Sequence, residues 1–194
     1  MSQKKALLIV DIQNDFCPGG ALGVPEGDKI IPAINKYVKI FAKNKLPIFA
    51  TRDWHPVRTE HFKEFGGVWP VHCISNTRGS AFHPDLKLTK DTALLYKGMG
   101  PEKDSYSSFD AEDSSGIKLA KILKRLGIKE IYIGGLATDY CVKYTAIDAL
   151  KSGLKVKILT DAIQGVNLKP GDCENALNKI VKMGAKEIQL TDLK

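Results

Sequence analysis

Six short apolar runs alternate with stretches of helical pattern along this chain: ALLIV (6–10), PIFAT (47–51), ALLY (93–96), IYIGG (131–135), VKILT (156–160) and EIQL (187–190). Strand-sized runs separated by helices require crossover connections, and crossovers make a sheet parallel. Three later junctions, LGIKEIYI, SGLKVKIL and MGAKEIQL, share one form. In each, a glycine can close a helix with a left-handed cap, and a strand begins two or three residues later. A helix is expected at about 29–43, with Ile30, Ile34, Tyr37, Val38 and Phe41 on one face. Pro32 falls in its first turn, where the missing N–H loses no intrahelical bond.

A length of 194 residues supports one domain, over 1–194, whose core needs no disulfide or metal to fold. The four cysteines, Cys17, Cys73, Cys141 and Cys173, lie far apart with no CxxC pairing, so they read as reduced thiols rather than a disulfide framework or zinc finger. The net charge of +7 raises nucleic acid as a partner, but the lysines are scattered along every helix and read as a solvated surface. The opening MSQKKALLIVDIQNDF superficially suggests a signal peptide; its apolar run is too short and Asp11 interrupts it. No segment approaches the roughly 20 apolar residues of a membrane helix. The expectation is a cytoplasmic protein with neither nucleic acid nor membrane as partner, either a monomer or a homo-oligomer.

In open parallel sheets, ligands bind beyond the carboxyl ends of the strands. Here the first strand ends in Asp11, the second in Asp53, the third in Lys97, and the fourth in the turn before Cys141. One aspartate after a strand is commonly a turn former or N-cap; four reactive side chains at four strand ends point to a site. A carboxylate can take a thiol proton, an ammonium can stabilise both anions, and a thiolate can attack a carbonyl carbon. Backbone N–H groups in the turn would receive the oxyanion. With Thr138 as N-cap, Cys141 would occupy the first helical turn, where unpaired N–H groups and the macrodipole favour a thiolate. The stripe Cys141, Val142, Thr145, Ala146, Ala149 and Leu150 suits a core cysteine equally well, so position alone leaves both roles open.

Residues 53–92 lack clear periodicity and contain all four histidines; loops this long inside a domain are usually functional. Asp53, His55 and His61 lie in RDWHPVRTEHF, and His72 follows in WPVHC. A carboxylate with two or three imidazoles suits a divalent transition metal such as zinc, iron or manganese. His83 reads as a surface or half-buried hydrogen-bonding residue.

DIQNDF (11–16), TRDWHP (51–56), WPVHC (69–73), KG (97–98), SYSSF (105–109) and GGLATDYCV (134–142), in that order, resemble the nicotinamidase (pyrazinamidase) group of the isochorismatase-like cysteine hydrolases over nearly the whole chain. The resemblance implies a three-layer, doubly wound, six-stranded parallel sheet with helices on both faces. It also implies an amidohydrolase that converts nicotinamide to nicotinate and ammonia through a cysteine thioester, in NAD salvage. By position, Asp11 would be the proton acceptor, Lys97 its electrostatic partner and Cys141 the nucleophile. A cis peptide before Ala137 would aim the Ala137 and Cys141 amides at the oxyanion. Phe16, Trp69, Tyr106 and Ala137 would hold the substrate. Asp53, His55 and His72 would bind one divalent metal ion, zinc ahead of iron or manganese. His61 would be the fourth ligand, with Glu60 and Glu64 close enough in sequence to compete. Related carbamoyl and ureido hydrolases keep the triad without the metal cluster, and isochorismatases lack the cysteine. A non-catalytic metal- or thiol-binding homologue is the alternative from another class.

Overall fold

The computed structural model describes residues 4–102 and 105–193. Residues 1–3, the head of the stretch weighed as a targeting signal, lie outside the described residues. Six parallel strands form one sheet: β1 (Lys5–Val10), β2 (Ile48–Asp53), β3 (Ala93–Lys97), β4 (Glu130–Leu136), β5 (Lys155–Gln164) and β6 (Lys186–Ile188). Their order is β3-β2-β1-β4-β5-β6. The chain winds outward in one direction from β1 and in the other from β4, so the order reverses between these two neighbours.

Both faces of the sheet are covered, and β1 shows why its sequence is a continuous apolar run. Ala6, Leu8 and Val10 join the core shared with α2 (Leu119–Leu126), α3 (Lys143–Lys151) and α4 (Asp172–Lys182). Leu7 and Ile9 point to the opposite face, into the core built on α1 (Ile31–Lys43). A strand buried on both sides has no polar face to alternate with. Ile31, Ile34, Tyr37, Val38 and Phe41 form the buried stripe of α1, with Pro32 in its first turn.

The expected strands are all present, with differences at their ends. β2 and β3 run on to Asp53 and Lys97, which are therefore the last residues of their strands. The helix expected from 29 begins at Ile31, because Gly27–Ile30 form a 3-10 turn instead. β6 stops at Ile188: the Gln189 and Asp192 side chains each accept from the other's backbone, which bends the chain into a 3-10 turn. The glycines of the three repeated junctions, Gly127, Gly153 and Gly184, all have positive φ, as a left-handed cap requires. No helix among the described residues is long and apolar enough to cross a membrane.

Candidate active site

At the carboxyl ends of β1 to β4, the strand-end side chains converge on one ammonium group. Lys97 is 1% exposed, and its Nζ lies 2.9 Å from Asp11 Oδ2, in contact with Asp53 Oδ1, and 3.6 Å from Cys141 Sγ. It also donates to the Ser105 carbonyl at 3.2 Å. The ligand atoms of Asp11, Asp53 and Cys141 all fall within 4.8 Å of one another. Two buried carboxylates therefore share one buried cation. Burial alone would pull the Lys97 pKa down, but Asp11 and Asp53 outweigh it and hold Lys97 well above the usual lysine value. Burial raises the Asp11 carboxyl, Lys97 opposes this, and Asp53 adds to the rise. Asp53 is the other half of the contrast: burial works to raise it, yet Lys97 and His55 together hold it below the usual carboxylate range.

Cys141 departs from the expectation drawn from its place in the chain. Thr138 does not cap the helix. Thr138–Val142 form a π-helical turn ahead of α3, and the extended Ala137 stands at the N-cap with its carbonyl accepting from Tyr140 and Val142 N–H at 3.0 and 3.1 Å. A helix start was expected to stabilise the thiolate; instead burial pushes the thiol well above its usual range, with Asp11 and Asp53 adding to the rise and Lys97 opposing it. A neutral thiol of this kind needs a base, and the Asp11 carboxylate is beside it. The Leu136–Ala137 peptide is cis, as expected. Ala137 and Cys141 both line the pocket.

A second cluster shares Asp53. The ligand atoms of Asp53, His55 and His72 lie within 4.8 Å of one another, and all three residues are buried. His55 Nδ1 is 2.9 Å from the Gly98 carbonyl, and His72 Nδ1 is 2.8 Å from the Pro70 carbonyl. A carbonyl only accepts, so each Nδ1 carries the proton and each Nε2 keeps its lone pair, which is how metal-binding imidazoles are oriented. Gly98 makes its contact possible: at φ +68°, a Cβ there would lie 2.4 Å from His55 Cε1. The set of one carboxylate and two oriented imidazoles fits a divalent metal. His61 is buried, with its ring 5.1 Å from that of His55, and lines the same pocket without belonging to the tight group. Glu60 and Glu64 are exposed and line a different surface depression. His83 stays outside the site, with its Nδ1 accepting from Asp85 N–H at 3.2 Å.

Both clusters reach one cavity, the first through Cys141 and the second through His55 and His72, with Asp53 common to both. Phe16, Trp69, Tyr106 and Ala137 line it. Trp69 Nε1 donates to Tyr106 OH at 2.8 Å, which ties two walls together.

The sequence matches the family model described as the isochorismatase domain over residues 5–192. The chain belongs to the isochorismatase domain family. This family member is 39% identical over 204 residues to the nicotinamidase of Escherichia coli (strain K12), covering 97% of this chain and 96% of that protein. It superposes with a TM-score of 0.89 on the pyrazinamidase of Pyrococcus horikoshii in complex with zinc, at 48% identity over 96% of this chain and 99% of that one. The yeast nicotinamidase bound to the inhibitor nicotinaldehyde gives 0.84 and 29% identity over 95% and 99%.

Sequence reasoning missed several residues that shape the site of this isochorismatase-family chain. Leu22, Tyr140 and Val166 also line the cavity. Tyr140 adjoins Cys141 in the quoted motif, but the unpredicted π-helical turn is what turns it towards the cavity. Val166 comes from the loop after β5 and is held by Asp139, whose carboxylate accepts the Val166 and Asn167 N–H groups at 3.0 and 2.8 Å. Gln13 fixes the end of β2, accepting from Asp53 N–H at 2.7 Å and donating to Asp53 O at 2.9 Å. Thr51 was legible in principle, because residues two apart on a strand share a face and Thr51 is two before Asp53.

Proposed function

We propose that this chain is a nicotinamidase that hydrolyses nicotinamide to nicotinate and ammonia through a thioester on Cys141, a reaction of NAD salvage. The observation that carries this reading is the position of Asp53. One carboxylate borders both the Asp11, Lys97 and Cys141 group and the His55 and His72 pair, so a nucleophile and a metal-donor set face one aromatic-lined cavity. On the resemblance drawn from the sequence, carbamoyl hydrolases would keep the first group and lack the second.

The chain's own residues account for the steps. Asp11 takes the proton from the neutral Cys141 thiol, and Lys97 stabilises the charge left on sulfur. The sulfur adds to the carboxamide carbon, and the Ala137 and Cys141 amides receive the oxyanion. As the tetrahedral species collapses, the proton held on Asp11 passes to the nitrogen and ammonia leaves. A water then adds to the thioester with Asp11 again accepting the proton. Breaking the carbon–sulfur bond releases nicotinate and returns the thiol. Phe16, Trp69 and Tyr106 pack against the pyridine ring and exclude bulk water. One divalent ion, zinc ahead of iron or manganese, held by Asp53, His55 and His72 with His61 beside them, would anchor the ring nitrogen and so orient the carboxamide. The Nδ1 bonds to Gly98 and Pro70 support that ligand set, and the zinc complex of the Pyrococcus horikoshii relative supports the metal.

The test compares ammonia release from nicotinamide, benzamide and a small N-carbamoyl amino acid by the metal-replete protein. Nicotinamide should be turned over well, benzamide poorly for want of the ring nitrogen, and the carbamoyl compound not at all. Preference for the carbamoyl compound would overturn the reading.

A further inference from the structure

Asp11 stands at the end of a line of buried hydroxyls that the steps above leave unused. Thr51 Oγ1 donates to Asp11 Oδ1 at 2.8 Å, and Ser108 Oγ lies 3.4 Å from Thr51 Oγ1. Thr145 Oγ1 donates to Ser108 Oγ at 3.1 Å and accepts from the Ser108 backbone N–H at 2.9 Å. Thr51, Ser108 and Thr145 are fully buried.

The direction of this line follows from its two ends. A backbone N–H can only donate, so Thr145 accepts there, and the geometry of its contact with Ser108 makes Thr145 the donor. Ser108, having accepted, turns its proton to Thr51, and Thr51 turns its proton to Asp11. An ionised carboxylate only accepts, so the far end agrees with the near one. With Asp11 ionised, no other set of hydroxyl orientations makes all four contacts. The line is a fixed brace rather than a proton wire, because it starts at an amide that cannot give up its hydrogen.

We infer that Thr51 is a positioning residue for hydrolysis: it commits Asp11 Oδ1 to a hydrogen bond and confines proton exchange with Cys141 to Oδ2, the oxygen 2.9 Å from Lys97. Ser108 and Thr145 keep the Thr51 hydroxyl pointed that way. None of the three lines the cavity, so they act on the base and leave ring binding alone. The inference rests on the reading of Asp11 as the proton acceptor.

The test pairs steady-state turnover of nicotinamide with the rate at which iodoacetamide alkylates Cys141, followed by peptide mass spectrometry. Thr51→Val should lower kcat about ten- to hundredfold, the range set by losing a hydrogen bond to a charged group. KM should stay within about twofold, because only a step after binding is touched. Thr51→Ser should restore most of the loss, and Thr145→Val should fall between wild type and Thr51→Val. Alkylation of Cys141 should slow in the same order. A loss that appears in KM, or a Thr51→Ser variant no better than Thr51→Val, would overturn the inference. If Thr51→Val does not fold, the Thr145→Val variant decides, and wild-type kcat and alkylation in it would overturn the inference. If the wild type releases no ammonia from nicotinamide, the proposed substrate fails, while the alkylation series still judges Thr51.

Discussion

Replacing Lys97 with methionine tests the electrostatic heart of the site, because it keeps most of the stem and deletes the one cation between two buried carboxylates. A unit charge pair at 4 Å and an effective dielectric of about 20 is worth about 4 kcal/mol, and both Lys97 contacts to carboxylates are closer than that. Removing one partner of a buried pair has a net cost of about 3–5 kcal/mol, which corresponds to a fall in Tm of about 6–20 °C for a chain of this length. The loss should depend on pH. Without Lys97, Asp11 and Asp53 would be like charges in contact range, so one must stay protonated, and Asp11 is already the one raised by burial. A carboxyl whose folded pKa is raised binds its proton more tightly folded than unfolded. Its contribution to stability therefore falls as pH rises from about 4, the unfolded value, towards the raised folded value. The gap in Tm between wild type and variant should widen from pH 5 to pH 8 in calorimetry. A protonated Asp11 cannot accept the thiol proton, so kcat should drop by about 10²–10⁴, the worth of a positioned base. A variant that matches wild-type Tm at pH 8 and keeps more than about a tenth of kcat would refute the reasoning.

Asp11→Asn should lose nearly as much kcat as Lys97→Met while keeping or gaining stability, since it removes a buried charge and keeps the shape; unchanged kcat would remove Asp11 from the mechanism. His55→Ala or His72→Ala should lose bound metal by elemental analysis, and most turnover with it, while Cys141 stays alkylatable; His61→Ala should do the same more weakly. Gly98→Ala should also lose metal, because the added methyl would meet the His55 ring; retention of stoichiometric metal would count against the proposed orientation of His55. Chelation should abolish turnover with little change in Tm, because the cores on the two sheet faces are drawn mostly from the strands and helices and include none of Asp53, His55, His61 and His72.

The α/β alternation was legible because β1, β2 and β4 are buried on both faces and so stand out as apolar runs. Asp11, Asp53 and Lys97 were legible for a related reason: each ends or follows such a run, and a parallel sheet brings those ends together. What the sequence hid was set by tertiary contact. The π-helical turn at Thr138–Val142 replaces the expected cap because two N–H groups share the Ala137 carbonyl. The raised Cys141 thiol comes from burial beside two carboxylates, which helix position alone does not reveal. Whether His61, Glu60 or Glu64 faced the cavity depended on the path of the loop after β2. The loop turns His61 inward and both glutamates outward. Thr145 reads as one more member of an apolar helical stripe, and only the contact with Ser108 from another part of the chain gives it a second role.

The most direct test of the account is ammonia and nicotinate release from nicotinamide by the zinc-, iron- or manganese-loaded protein, run beside its Cys141→Ala variant. The wild type should release the two products in equal amounts, and the variant, folded and metal-bound, should release neither. Turnover that survives the loss of Cys141, or a fully loaded wild type that leaves nicotinamide intact with every metal, would contradict it.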